Sequence, residues 1–272
     1  MSKDTDKLPK DMRALRDDIN RVDGQLLDLI ARRMKLAQAV RNAKGGVDVW
    51  RPSREESHVR NLIGKAGDIP PKLVSRVWAE LTSASLSLQG PIQLHIALVG
   101  DALSKWTLVR DRFGAAIPAH VYPTASAALA AAQSEAEGVA VLPAPGEMNN
   151  WWTALGPHGA ASNMHILAAL PRIGNDEWPT AVAVSKAQIL PSGFDQTLLM
   201  IDTKDMAALV TPERVFLDLG YEAVLRARVE NFSVYSVQGF VDIDGPVYQK
   251  MKTQFSMLKI IGVLPLPIPT TF

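Results

Sequence analysis

The 272-residue chain has no cysteine, which excludes disulfide bonds and metal sites built from thiolates. It also has no apolar run near the roughly 20 residues that a membrane-spanning helix needs. The first residues, MSKDTDKLPKD, are charged and lack the apolar segment of a signal peptide. With 47% apolar and 21% charged residues, the composition is typical of a globular protein. We therefore expect a cytoplasmic protein that does not enter a membrane.

The net charge is only +1, but the basic and acidic residues are unevenly distributed along the chain. Residues 1–90 contain 17 Lys and Arg against 12 Asp and Glu, whereas residues 91–272 contain 12 against 16. A basic N-terminal region favours an anionic partner. Nucleic acid is not expected, because the excess is modest and the basic residues are not interleaved with exposed aromatic residues.

The N-terminal region has the periodicity of α-helices. One long helix is predicted over 11–44 from apolar residues at steps of three and four: Leu15, Ile19, Val22, Leu26, Ile30, Ala37 and Val40. Gly45-Gly46 should end it, and shorter helices are predicted over 53–65, with Ser53 as N-cap, and over 71–89. A helix of about 50 Å cannot bury its apolar stripe against two short helices. We therefore expect it to pack against a second copy of itself, in a homodimer.

The rest of the chain has a different pattern. Five short apolar strands (94–100, 119–124, 139–143, 164–170 and 180–185), with helices at 103–113 and 125–136, predict an α/β domain with a mainly parallel sheet. From residue 196 the predicted order is strand, helix, strand, strand, helix, strand, a ferredoxin-like βαββαβ unit. The predicted fold is thus multidomain: an all-α domain (1–91), an α/β lobe (92–190) and an α+β domain (191–272).

Polar residues interrupt the apolar stripes of two helices. Arg33 occupies a core position of the long helix, and Lys44 lies three turns further on, near the same face. On the third helix, Ser85 and Gln89 continue the inward face that begins at Trp78. A buried arginine needs an anion, so this pattern points to an anion-binding site.

A second interpretation stays open on pattern alone. Arg33 could pair with Asp23 or Asp28 or reach the helix edge, and Ser85 and Gln89 could mark a fraying helix end. The five histidines have no metal-ligand spacing, and each is expected to be an ordinary surface or core residue.

Three segments in order carry a family resemblance: LRDDINRVDGQLLDLIARRMKLAQAVRNAK (15–44), RPSREE (51–56) and ELTSASLSLQ (80–89). They resemble the all-helical class of chorismate mutases. The resemblance implies an intertwined three-helix dimer that converts chorismate, a small dicarboxylate, to prephenate with no cofactor and no metal. It implies Lys44, Arg54, Glu55 and Gln89 as catalytic residues, and Arg16 (acting from the partner subunit), Arg33 and Ser85 as substrate-binding residues.

These residue types suit that reaction. It is an intramolecular rearrangement, so two arginines that clamp the carboxylates can hold the reactive conformer. Lys44 and Gln89 would donate to the ether oxygen as negative charge grows on it, and Glu55 would accept from the ring hydroxyl. The sequence departs from the family at Arg51, where many members carry an acidic residue.

Two segments, IALVGDALSKW (96–106) and VAVLPAPGEMNN (139–150), carry a second resemblance, in which residues 92–190 resemble one lobe of a prephenate dehydratase. The catalytic Thr-Arg-Phe of that family is reduced to Pro179-Thr180-Ala181, and about 95 residues suffice for only one of its two lobes. We expect a degenerate lobe that serves as a spacer or docking platform.

Residues 196–267 resemble an amino-acid-sensing ACT domain. The effector motifs are altered at 207–210 and 230–233, so sensing of an aromatic amino acid and a purely structural role are both expected outcomes. Three hypotheses for function follow: a chorismate mutase, a bifunctional mutase and dehydratase, and a non-catalytic ligand sensor.

Overall fold

The computed structural model describes residues 10–44, 49–204 and 211–270. Its N-terminal part consists of α1 (Lys10–Lys44), α2 (Pro52–Gly64) and α3 (Pro71–Gln89), which confirms the three predicted helices. The predicted terminator Gly45-Gly46 lies outside the described residues. The predicted N-cap at Ser53 is wrong: α2 starts one residue earlier, because Pro52 fits the first turn, where its missing N–H needs no partner. Arg51 takes the cap position without a side-chain cap bond.

The rest of the described chain is built on one nine-stranded sheet. In the order of the chain its strands are β1 (Gln93–Ile96), β2 (Ala119–Val121), β3 (Gly138–Pro143), β4 (His165–Leu170), β5 (Ala181–Ser185), β6 (Asp195–Asp202), β7 (Ala223–Val229), β8 (Phe232–Gln238) and β9 (Met257–Pro265). Across the sheet the order is β2-β1-β3-β5-β4-β9-β6-β8-β7. The helices of this part are α4 (Ala102–Phe113), α5 (Ala125–Ser134), α6 (Pro212–Asp218) and α7 (Pro246–Lys252), with a short 3₁₀ helix at Trp151–Leu155.

The first half of the sheet is mixed, so the prediction of a mainly parallel sheet is wrong. β1 runs parallel to β2 and β3, but β5 runs antiparallel to both β3 and β4. Only residues 171–180 connect β4 to β5, and they contain no helix. A parallel pair needs a longer crossover connection, so the chain returns antiparallel.

The predicted βαββαβ order is confirmed from β6 to β9. These strands form an antiparallel arrangement in the order β9-β6-β8-β7. β9 also pairs with β4 at Gly262 and Ile166, so the sheet continues across residue 190, the predicted domain boundary. A Cβ on Gly262 would lie 2.3 Å from the carbonyl oxygen of Ile166, so only glycine permits this approach.

The helical part packs on the sheet through α2 and α3. Trp50 and Leu86 share a core with Phe113 of α4, and Val59 and Val74 share another with Ile268 near the end of the chain. Gly114 ends α4 with a positive φ of 66°, and a Cβ there would lie 2.8 Å from the carbonyl oxygen of Ala79 in α3. The close approach of α3 and α4 therefore depends on this glycine.

The long helix α1 packs along α3 but leaves much of its apolar stripe uncovered within one chain. Leu15, Ile19, Val22 and Leu26 are each about half exposed. No helix in the described ranges is long and apolar enough to cross a membrane.

Candidate active site

A cleft of about 290 Å³ lies between the three N-terminal helices. Its lining includes five of the predicted site residues: Arg33 from α1, Arg54 and Glu55 from the first turn of α2, and Ser85 and Gln89 from the end of α3. Ser85 and Gln89 face the same cleft because they are four residues apart on one helix. The structure therefore brings together residues from three separate helices.

Arg33 is held against α3. Its Nη1 donates hydrogen bonds to the carbonyl oxygen of Leu81 and to the Ser85 hydroxyl, both at 2.6 Å. Burial lowers the pKa of the Arg33 guanidinium, which still stays protonated at any physiological pH. Within the described ranges, no carboxylate pairs with it, so the alternative of a pair with Asp23 or Asp28 is wrong. A half-buried cation without a counter-ion favours an anionic ligand.

The wall of the cleft contributed by α2 is also cationic. Arg51 and Arg54 line it together with His58. Burial, followed by the charges of Arg33 and Arg54, lowers the pKa of His58 below its ordinary value, so this imidazole is neutral at pH 7. His58, expected from the sequence to be an ordinary surface or core residue, lines the cleft, and its spacing of four from Arg54 places both on one helix face.

Glu55 is the carboxylate of the cleft, and it is firmly held. It forms ion pairs with Arg112 of α4 and with Arg172, which follows β4. The Trp50 indole donates a hydrogen bond of 3.1 Å to Oε2. Burial alone would raise the pKa of Glu55, but Arg112, Arg172 and Trp50 hold it below its ordinary value. Glu55 is therefore an ionised acceptor at neutral pH.

Two predicted residues are not among the described residues that line this cleft. Arg16 lies with Met12, Leu15, Ile19 and Val22 on an exposed surface of α1. Seventeen residues separate it from Arg33, or about 25 Å along the helix, so it cannot reach the cleft of its own chain. The side chain of Lys44 lies outside the described residues.

Comparison with known proteins gives one family match. Residues 15–90 match the family model of chorismate mutase type II. No curated protein matches the chain.

Several solved structures resemble part of this chain at low similarity. One is described as GqqA, a novel type of quorum quenching acylase, at 17% identity over 63% of this chain and 94% of that chain, with a TM-score of 0.43. A prephenate dehydratase from Streptococcus mutans is 12% identical over 64% of this chain and 98% of that one, with a TM-score of 0.45. A prephenate dehydratase from Arthrobacter aurescens in complex with L-Phe is 9% identical over 63% and 89%, with a TM-score of 0.43.

At those identities and TM-scores, no function is transferred from the solved structures. The family match, in contrast, covers every helix that lines the cleft. It confirms the resemblance found in the three N-terminal segments. Residues 15–90 therefore form a chorismate mutase type II domain, in a chain that continues into a mixed α/β sheet.

Proposed function

We propose that the chain catalyses the rearrangement of chorismate to prephenate in the cleft between α1, α2 and α3. The observation that carries the proposal is the meeting of Arg33, Arg54, Glu55, Ser85 and Gln89 in that cleft, inside the segment that matches the family model. The cleft presents several cations and one carboxylate that is already paired, which suits a dicarboxylate substrate.

The roles of these residues follow from the charge changes of the reaction. Arg33 binds one substrate carboxylate, with Ser85 fixing the guanidinium, and Arg54 adds positive charge at the other wall. This grip favours the folded conformer in which the two reacting carbons meet. As the C–O bond breaks, negative charge grows on the ether oxygen, and the neutral amide of Gln89, together with Lys44, donates to it. Glu55 accepts a hydrogen bond from the ring hydroxyl.

We also propose that the working unit is a homodimer. The exposed stripe of α1 (Leu15, Ile19, Val22 and Leu26) offers a continuous apolar face to a second copy. Arg16 lies on this same face, about 25 Å from its own cleft. In the dimer it would enter the cleft of the partner and bind the second substrate carboxylate.

We also propose that the C-terminal region is an ACT-like domain. Its βαββαβ order and strand arrangement fit an ACT-like domain. The altered effector motif at 207–210 lies outside the described residues, and Glu230 occupies the turn between β7 and β8 with a positive φ of 53°. Sensing of an aromatic amino acid and a structural role both remain compatible with this arrangement.

Incubation of the purified chain with chorismate tests the proposal. We expect chorismate to disappear and prephenate to accumulate without phenylpyruvate. Phenylpyruvate would favour the bifunctional mutase and dehydratase instead, and no turnover would favour a non-catalytic sensor. Repeating the assay with phenylalanine, tyrosine or tryptophan present tests whether the C-terminal region senses one of them.

A further inference from the structure

The two arginines that hold Glu55 do not belong to the mutase domain. Arg112 lies on α4, and Arg172 follows β4 in the α/β part of the chain. Both are almost fully buried, with 2% and 4% of their surface exposed. The cleft carboxylate therefore depends on residues that lie 57 and 117 positions further along the chain.

The acceptor capacity of Glu55 is almost filled by these contacts. A carboxylate offers about four lone-pair directions, two on each oxygen. Oε1 accepts from Arg112 and Arg172, and Oε2 accepts from the Trp50 indole. One direction on Oε2 is left for a donor in the cleft, which matches a single substrate hydroxyl.

We propose that Arg112 and Arg172 are positioning residues of the mutase site, which fix the Glu55 carboxylate with one acceptor direction open to the substrate. This inference rests on the proposed function. The α/β part would then complete the active site of the helical domain and not merely be attached to it.

The surroundings of Arg172 make it a rigid support. Its Nε donates to Glu56 at 3.0 Å, and its Nη1 donates to the Ser75 hydroxyl of α3 at 3.3 Å. One guanidinium thus ties α2 and α3 to the segment after β4. A fork fixed at three points holds the orientation of Glu55 better than a flexible lysine could.

The burial of Arg112 is energetically unfavourable. Among the described residues, its buried Nε and Nη2 have no hydrogen-bond partner, and Glu55 is its ion-pair partner. Burying a cation with incomplete partners destabilises a fold, so stability alone does not account for this arginine. A role in holding the substrate-binding carboxylate does account for it.

The charges around Glu55 predict what happens without the arginines. It pairs with Arg112 and Arg172 from the α/β part, and it has Glu56 as its neighbour on α2. The other charged or titratable residues that line the same cleft are Arg33, Arg51, Arg54 and His58. Arg112 and Arg172 each lower the pKa of Glu55 against the effect of burial, so removal of either cation raises that pKa. A protonated Glu55 no longer offers the same acceptor, so activity would fail at a higher pH.

The test is the pH dependence of kcat/KM from pH 4 to 8 in the full chain. In Arg112→Gln and Arg172→Gln we expect the acid limb to move up by about one pH unit or more. Arg112→Lys and Arg172→Lys keep the charge but lose the fork, so their acid limbs should stay in place while kcat/KM falls about tenfold. The matched control is Arg76→Gln, because Arg76 of α3 pairs in bidentate fashion with Asp111 of α4 away from the cleft. We expect it to keep the wild-type profile.

Unmoved acid limbs in both folded Gln variants would overturn the inference. If the Gln variants do not fold, the Lys variants decide, and wild-type kinetics in both of them would equally overturn it. A wild-type chain that does not consume chorismate would instead defeat the proposed function, and this inference with it. An active wild type with unaffected variants defeats the inference alone.

Discussion

Arg33 is the residue on which substrate binding should depend most. Its guanidinium is half-buried, is fixed by Ser85 and Leu81, and has no counter-ion among the described residues. We expect Arg33→Ala to lower kcat/KM by a factor of about 30 or more, because removal of one partner of a buried charge pair costs about 2–5 kcal/mol. Steady-state kinetics with chorismate measures the fall in kcat/KM. A far-UV circular dichroism spectrum checks that the helices of the variant stay folded.

Arg32→Ala is the matched control, because Arg32 is the exposed neighbour of Arg33 and carries the same charge. It should retain wild-type kinetics. A fully active Arg33→Ala variant would remove the basis for the site assignment.

The pH dependence of activity near neutrality tests the role of Gln89. Its amide does not titrate, and the pKa of the neighbouring His58 lies below its ordinary value of about 6.5. We therefore expect kcat/KM to be nearly flat between pH 6 and 8. Gln89→Glu should lose activity at pH 7 and regain it on acidification, since its carboxyl donates a hydrogen bond only when protonated. A steep loss in the wild type between pH 6 and 8 would argue against Gln89 as a donor.

The residues of the site differ in how far sequence could predict them. Arg33, Ser85 and Gln89 interrupt apolar stripes, which marks them as candidates, but their roles follow only from the family resemblance. His58 carried a similar signal, at one helical turn from Arg54, but was overlooked. The partners of Glu55 could not be predicted, because nothing in the local pattern of Arg112 or Arg172 relates them to a helix more than 50 residues away.

At the scale of elements, α1 has two functions. One side places Arg33 against α3, and the apolar stripe from Leu15 to Leu26 is left exposed in the single chain. A helix with this stripe is stable in water only when another surface covers it. We propose that this surface is α1 of a second copy of the chain.

A charge placed in the stripe should therefore separate the dimer. We expect Val22→Lys to shift the mass measured by light scattering from dimer to monomer and to abolish turnover with it. Asn20→Lys introduces the same charge on α1 away from the stripe and should remain dimeric. A wild-type chain that is monomeric and fully active would contradict this role of α1.

Sequence patterns predict the position and order of helices and strands better than they predict strand direction. Helical periodicity gave all three N-terminal helices to within one residue, and the βαββαβ order was found from alternation alone. Strand direction was less accessible, since the antiparallel β5 follows from the short helix-free connection at 171–180. The contact of β4 with β9 depends on Gly262 accepting the backbone of Ile166, which only the assembled sheet reveals.

At the scale of the whole molecule, a buried charge cluster joins the helical domain to the sheet. Glu55 and Glu56 of α2 pair with Arg112 and Arg172 of the α/β part. Because the pKa of Glu55 is lowered in the folded protein, the unfolded chain binds more protons at acidic pH. The stabilisation is thus complete above the ordinary glutamate pKa of about 4.3 and is lost as pH falls through the lower folded value.

This linkage predicts that the wild type and Arg112→Gln differ in how their free energies of unfolding depend on pH. Urea unfolding should show that Arg112→Gln is less stable than the wild type at pH 7, because it leaves Glu55 with one cation fewer. The gap in the free energy of unfolding should narrow as the pH falls through the lowered pKa of Glu55, because the protonated carboxyl no longer attracts the arginine. A gap that is constant from pH 7 to pH 3 would show that Arg112 acts through packing alone.

Complementation between Arg16→Ala and Arg33→Ala tests most directly whether each mutase site is completed by two chains. Each variant alone should be inactive, since every cleft lacks one arginine. When the two are unfolded and refolded together, half of the dimers are mixed, and each mixed dimer has one intact cleft. We expect recovery of roughly a quarter of wild-type activity. No recovery from correctly folded mixed dimers, or full activity of Arg16→Ala alone, would contradict it.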